Sequence, residues 1–256
     1  MIVIMMARNL YTYFLQNNNL KMLACLMLSF ILSGCAVNAN TKIEHIVPRE
    51  SFVKIIAVVE AEMCMEDPAT KEKLCKTRTM KAFASGVIVK RTNAGSEILT
   101  AGHVCDTSDL TGGDVENVNF KINILAMAVN GERFLSKVER IDTSIDCCLL
   151  VAKDMRRWKP IRIRKTKPEY AEKFYNMASP LGVATPDMVP ILEGRYSGDV
   201  NFRRAAFTIP AAPGSSGSPI FDRRGKLIGM IHSVYIRFPF LSFGPTHEKL
   251  LEFLDH

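Results

Sequence analysis

Residues 211–222 read AAPGSSGSPIFD. Glycine and serine crowd the middle of this stretch, and such clusters ordinarily make turns. Pro219, an apolar pair and Asp222 follow, and SPIFD reads as a short strand. Three serines compete for attention: Ser215, Ser216 and Ser218. A serine hydroxyl is a poor nucleophile near neutral pH unless a base lies in hydrogen-bond reach and a third group orients that base. Whether this turn is chemistry or punctuation depends on what the rest of the chain supplies.

The chain has 256 residues, 48% apolar and 23% charged. That is ordinary globular composition, and the length allows one domain of two lobes, or two small domains, with a self-sufficient core. Modest glycine and proline content argues against general disorder, and no internal repeat is visible. The formal net charge is +7. The excess is concentrated in RRWKPIRIRKTK, residues 156–167, with seven basic residues and no acid. This segment reads as a solvated connector. The sharper alternative is contact with lipid headgroups or another polyanion. No nucleic-acid-binding signature occurs, so no nucleic-acid partner is expected.

Residues 1–34 differ in character, with Arg8 and Lys21 as the only charges. Met22 to Leu32 is an unbroken apolar run, too short to span a bilayer comfortably but of the right length for a secretory signal core. It ends in LSGC, residues 32–35, which resembles a bacterial lipoprotein signal with Cys35 as the lipidated residue. An uncleaved anchor or a plain signal cut elsewhere is the alternative. Residues 1–34 thus read as a signal or anchor segment and 35–49 as a tether. The protein is expected to be exported and held at the cell envelope, facing the periplasm or exterior, or else secreted. Ala36 favours an outer-membrane destination by analogy with lipoproteins.

After Cys25 and Cys35, five cysteines remain, and an exported chain permits disulfides. Cys64 and Cys75 bracket a polar, turn-like loop that they could close. Cys105 could pair with Cys147 or Cys148, leaving one thiol over. No spacing matches a zinc pattern, so no metal and no cofactor are expected.

From about residue 50 the chain reads as short strands rich in β-branched residues: 51–60, 81–91, 97–101, 117–129, 133–142 and 147–153, with a hairpin signal at 130–132. Beyond the connector come 172–182, 189–199, 205–210, 218–222 and 227–238. One clear helix closes the chain, with Thr246 as candidate N-cap and Leu250, Leu251, Phe253 and Leu254 on an apolar face. Strands in two halves imply an all-β protein, with lobe 1 at about 50–155, connector 156–167 and lobe 2 at about 168–255.

Upstream of the serine turn stand ILTAGHVC, residues 98–105, and SIDCCLLV, residues 144–151. With GSSGSP at 214–219, these resemble the chymotrypsin/trypsin-like serine peptidases, in the style of the bacterial secreted and HtrA-type members. FASGVIV before the histidine, MASPLG after the connector and GKLIGMI after the serine agree with that resemblance, which covers about residues 50–255. It implies two six-stranded antiparallel β-barrels with a short C-terminal helix. It also implies a catalytic set of Ser216 as nucleophile, His103 as base and Asp146 as orienter, with the amides of Gly214 and Ser216 as oxyanion hole. Asp142 is a rival acid, disfavoured because CLL follows Asp146 directly. The expected activity is endopeptidase cleavage of protein or peptide substrates through an acyl-enzyme.

The sequence also departs from family patterns. Ser215 stands where animal digestive enzymes hold an aspartate that receives a freed N-terminus, so no such zymogen switch is expected. HtrA-type members continue into a peptide-binding domain after the helix, and no such module is expected here. Pro210 and Ala211 are expected at the base of the specificity pocket, with His232, Ser233 and Val234 along its wall. No acid lies there, which disfavours cleavage after Arg or Lys. His232 falls one residue late for a glutamate-specific site, and a small or medium apolar residue is expected. Two other readings stand beside the peptidase: a silent binding module on the same fold, and a protease that processes itself or one partner. Oligomeric state is unassigned.

Overall fold

A computed structural model describes residues 47–66, 70–71, 73–106 and 118–255. The signal segment, Cys35 and the tether up to residue 46 lie outside the described residues. Six strands form the first lobe: β1 (Phe52–Glu66), β2 (Lys73–Thr92), β3 (Gly95–Ala101), β4 (Val118–Ala128), β5 (Arg133–Asp142) and β6 (Cys147–Ala152). They close into an antiparallel barrel in the order β1-β2-β3-β6-β5-β4. Closure pairs every strand on both sides and leaves no edge within the barrel.

The run CCLLVA of β6 explains how the barrel is filled. Alternate residues of a strand point to opposite faces. Cys148, Leu150 and Ala152 enter the barrel core with Val53, Ile55, Ile88 and Ile98. Cys147 and Leu149 point the other way, into a core shared with Phe221, Leu227, Met230 and the terminal helix. Both faces of β6 are therefore buried, which is why its sequence is an unbroken apolar run. The same alternation selects the disulfide. Cys148 faces inward and pairs with Cys105, whereas Cys147 is a buried free thiol. Burial pushes the Cys147 thiol pKa well up and keeps it un-ionised and inert.

The second lobe contains β7 (Arg162–Ile163), β8 (Lys173–Met177), β9 (Ile191–Asp199), β10 (Arg204–Phe207), β11 (Ser218–Phe221), β12 (Lys226–Ile231), β13 (Ser233–Val234) and β14 (Ser242–Pro245). Their order is β13-β14-β10-β9-β8-β11-β12-β7. Only His232 separates β12 from β13, and its amide donates to the Phe243 carbonyl at 2.9 Å. The two ends of the sheet are thus one interrupted strand, and six strands run round the lobe. β7 adds outside them, parallel to β12. Phe174, Phe207, Ile209, Ile220 and Ile228 fill this lobe. The 156–167 segment is more than a solvated connector. Trp158 and Ile161 are buried, and Arg164 makes two hydrogen bonds to Glu172 at 2.6 and 3.1 Å. Helix α2 (His247–Asp255) buries Leu250 and Phe253, and the Lys249 amide donates to Thr246 Oγ1 at 3.4 Å.

The strands read at 51–60 and 81–91 run further than their sequence pattern suggests. β1, β2 and β4 continue past the barrel as an arm: β4 pairs with β1 as far as Met63, and beyond it β1 and β2 run on alone, with Cys64 directly opposite Cys75 and disulfide-bonded to it. Cross-strand pairing supplies the backbone hydrogen bonds that a loop would lack.

The two disulfides differ in expected weight. Cys105 lies two residues after His103 and Cys148 two after Asp146, and the bridge spans a sequence separation of 43. The chain-entropy argument assigns such a loop about 4 kcal/mol. The double variant Cys105→Ser/Cys148→Ser is expected to lower the denaturant midpoint more than Cys64→Ser/Cys75→Ser, whose shorter loop, with a separation of 11, is assigned about 3 kcal/mol. Equal midpoints for the two double variants would refute this.

Candidate active site

The site lies where the lobes meet. β3 ends at Ala101, and the single turn α1 (Gly102–Cys105) carries His103. Asp146 sits immediately before β6 at φ +53°, a left-handed conformation uncommon outside glycine and tolerated best by Asn and Asp. Ser216 lies in the turn entering β11. The Gly102 amide donates to the Asp146 carbonyl at 2.9 Å, and the His103 amide donates to Asp146 Oδ1 at 2.8 Å. The carboxylate is therefore oriented by the backbone that carries the histidine. His103 Nδ1 lies 3.2 and 2.9 Å from Asp146 Oδ1 and Oδ2. On the far side of the ring, His103 Nε2 lies 2.9 Å from Ser216 Oγ. Asp142 lies outside this chain of bonds, and its Oδ1 accepts from the Ser144 amide at 2.9 Å.

Electrostatics follow the geometry. The hydrogen bond to Asp146 raises the His103 pKa above its ordinary value, against burial and with the aspartate charge. Burial works to raise the Asp146 pKa, but the hydrogen bonds and charge of His103 outweigh it and hold the carboxyl below its usual range. When His103 is neutral, the carboxylate favours the tautomer with the proton on Nδ1, which leaves Nε2 free to accept from a hydroxyl.

The turn around Ser216 is also ordered by backbone bonds. The Leu181 amide donates to the Pro213 carbonyl at 2.6 Å, and the Ser218 amide donates to the Ser215 carbonyl at 2.9 Å. No cis peptide occurs among the described residues. In a trans peptide the N–H points away from the C=O. The amides of Gly214 and Ser216 are thus turned from those carbonyls, and neither donates to an acceptor among the described residues. Two such donors beside a serine hydroxyl are placed as an oxyanion site would require.

The pocket residues divide. Pro210 and Ala211 lie on one side of segment 239–242, where the Ala211 amide donates to the Pro239 carbonyl at 3.0 Å. Ser233 and Val234 lie on its other side, paired with Phe243 and Ser242. Tyr235, Ile236, Phe238 and Phe240 are exposed nearby. His232 is placed differently from a pocket wall: its Nδ1 lies 3.6 Å from Asp146 Oδ2. Burial lowers its pKa, with Asp146 acting in the opposite sense, so a largely neutral ring backs the carboxylate. Ser85, Ser179 and Leu181 also frame the serine turn, although FASGVIV and MASPLG suggest no role for them individually. Among the described residues, Glu62, Cys64 and Cys75 bring three potential metal ligands together, but both sulfurs are consumed by their disulfide.

The fold has counterparts among solved structures. The active form of the Rv3671c protease from M. tuberculosis aligns with a TM-score of 0.57 at 15% identity, over 83% of this chain and 82% of that one. The serine endoprotease from Yersinia pestis aligns with a TM-score of 0.56 at 16% identity, over 83% of this chain and 64% of the other. At such identities the likeness concerns the fold. No curated protein sequence matches the chain. The trypsin-like peptidase domain profile, however, matches residues 84–230, which run from just before Ser85 to the end of the core strand after the serine turn. With more than half of its length matched, this chain belongs to the trypsin-like peptidase family.

Proposed function

We propose that the protein is a serine endopeptidase with Ser216 as nucleophile, His103 as general base and acid, and Asp146 as orienter. The observation that carries this reading is the unbroken run of contacts from Asp146 through His103 to Ser216. Ser216 Oγ attacks the scissile carbonyl while its proton passes to His103 Nε2. The oxyanion so formed lies against the amides of Gly214 and Ser216. The C–N bond then breaks, the leaving amine takes the proton from His103, and an acyl ester remains on Ser216. Water attacks that ester by the same route, releasing the new carboxyl end and restoring the serine. Asp146 keeps the proton on Nδ1 throughout, with His232 Nδ1 3.6 Å from the same Oδ2 that faces His103.

For specificity we propose a small or medium apolar residue before the cleaved bond. Residues 209–213 and 233–243 contain no acid, and the neighbouring loop presents Tyr235, Ile236, Phe238 and Phe240. Export, with a tether at Cys35, is proposed from the apolar run 22–32 and LSGC. Two disulfides fit an oxidising compartment.

The test is labelling with a fluorophosphonate probe, which reacts with activated serines. The parent protein is expected to label and Ser216→Ala is expected not to. Absence of labelling in folded parent protein would reject the peptidase reading in favour of a silent binding module.

A further inference from the structure

We propose that the Ser85 hydroxyl is a positioning residue for the oxyanion site, reaching from the first lobe to set the backbone around Gly214 in the second. This rests on the serine-peptidase reading above. Ser85 lies on β2 and is fully buried. Its amide donates to the Ser216 carbonyl at 2.8 Å. Its Oγ donates to the Gly214 carbonyl at 2.9 Å and accepts from the Ser179 amide at 2.9 Å. Its own carbonyl accepts from Thr100 Oγ1 at 2.8 Å. One residue of lobe 1 thus holds the carbonyls of both residues whose amides face the oxyanion.

The hydroxyl has a second task through Ser179. The Gly214 amide is aimed by the bond from the Leu181 amide to the Pro213 carbonyl, and Leu181 stands at φ +51°. Left-handed backbone costs a residue with a Cβ roughly 1–2 kcal/mol, so segment 179–182 must be held from outside. Ser85 Oγ holds its first amide, and Ser179 Oγ accepts from the Ala184 amide at 3.2 Å. The lobes meet without slack here: a Cβ on Gly217 would lie 2.1 Å from the Ser85 carbonyl oxygen. The Lys54 ammonium of β1 holds the same segment, donating to the Gly182 carbonyl and to the Ala184 carbonyl at 3.2 Å. Ser215, buried, makes a contact at 3.3 Å from its Oγ to the Ala212 amide. Around Ser215 itself the bonds are neutral, where an aspartate at position 215 would have used an ion pair.

Ser85→Ala removes both hydroxyl bonds and strands a buried carbonyl and a buried amide. Loss of an oxyanion donor costs about 10²–10³ in rate, so misaiming the donors is expected to lower kcat by about 10–100-fold. KM should stay near the parental value. Affinity for a peptidyl boronic acid, whose tetrahedral adduct on Ser216 uses the same amides, should fall in parallel with kcat/KM. The acid limb of kcat/KM, set by His103, should not move. Ser85→Thr, which keeps a hydroxyl, should recover most of the loss. If the alanine variant does not fold, Ser85→Cys, of similar size with only a weak donor, takes the same measurements. A folded variant with parental kcat and boronate affinity overturns the proposal, as does a loss confined to KM. A parent protein that neither cleaves peptides nor labels with fluorophosphonate would instead mean that the peptidase reading itself had failed.

Discussion

Asp146→Asn is expected to lower kcat by about 10⁴-fold while leaving the protein folded. Asparagine tolerates the left-handed backbone at this position as well as aspartate does. Its amide oxygen would continue to accept from the His103 main-chain N–H, now 2.8 Å from Oδ1. The side-chain NH₂ would then replace Oδ2 beside His103 Nδ1. Two donors cannot face each other, so Nδ1 would become an acceptor and the ring proton would move to Nε2. A histidine protonated on Nε2 cannot take the Ser216 proton. Steady-state kinetics on a peptide substrate, with circular dichroism to establish folding, measure this directly.

The pH dependence supplies an independent sign. His103 works as a base only when neutral, and Asp146 raises its pKa above the ordinary 6.5. In the parent, kcat/KM should therefore fall as the pH is lowered through a value above 6.5. In Asp146→Asn the hydrogen bond to the charged carboxylate and its Coulomb support are gone, so the limb of the residual activity should move to lower pH. A folded variant with parental rate and an unmoved limb would show that Asp146 does not orient the base.

Gly214→Ala should have the next largest effect, a fall of about 10²–10³ in kcat, the scale of losing one oxyanion donor. Gly214 stands at φ +96°, which L side chains rarely adopt. A Cβ there would lie 2.4 Å from the Ser179 carbonyl oxygen and 2.9 Å from the Leu181 amide nitrogen. Both obstacles are backbone atoms, so relief requires moving the segment that aims the Gly214 amide. Stability should fall too, by about 1 kcal/mol or more, because alanine is incompatible with this φ. KM should change little, since the lost contact forms mainly in the transition state. Kinetics with a denaturant titration separate the two effects. Parental kcat, or a loss carried by KM alone, would rule out an oxyanion role for this amide.

Much of the fold could be read from local pattern. The alternating and continuous apolar runs mark most strands because side-chain direction repeats every second residue. The arm escaped that reading. Lys73 to Phe83 of β2 are all exposed, so no burial imprints a period on them. β7 escaped for a related reason. Two residues in a basic segment carry no period, and only the parallel register with Lys226 and Leu227 makes them a strand.

The same division runs through the site. The candidates His103, Asp146 and Ser216, which the structure brings into contact, stand out in the sequence because each sits in a short motif whose neighbours have their own local reasons: a strand end, a buried strand start and a glycine turn. Asp146 over Asp142 could be chosen from the apolar run that follows it. The partner of Cys105 could not, because Cys147 and Cys148 are adjacent in sequence and only the barrel's inside and outside distinguish them. His232 looked like a pocket residue because position along a strand does not reveal which carboxylate another lobe brings within 3.6 Å. Ser85 looked like one more small residue before a strand core. Its partners Ser179 and Gly214 lie 94 and 129 residues away. By itself the sequence determined the class of fold and the chemical types at the site, since propensity, periodicity and turn chemistry are local. The aim of the oxyanion amides, the backing of Asp146 and the choice of disulfide were decided only when the two lobes packed, because each depends on hydrogen bonds or facings between segments far apart in the chain.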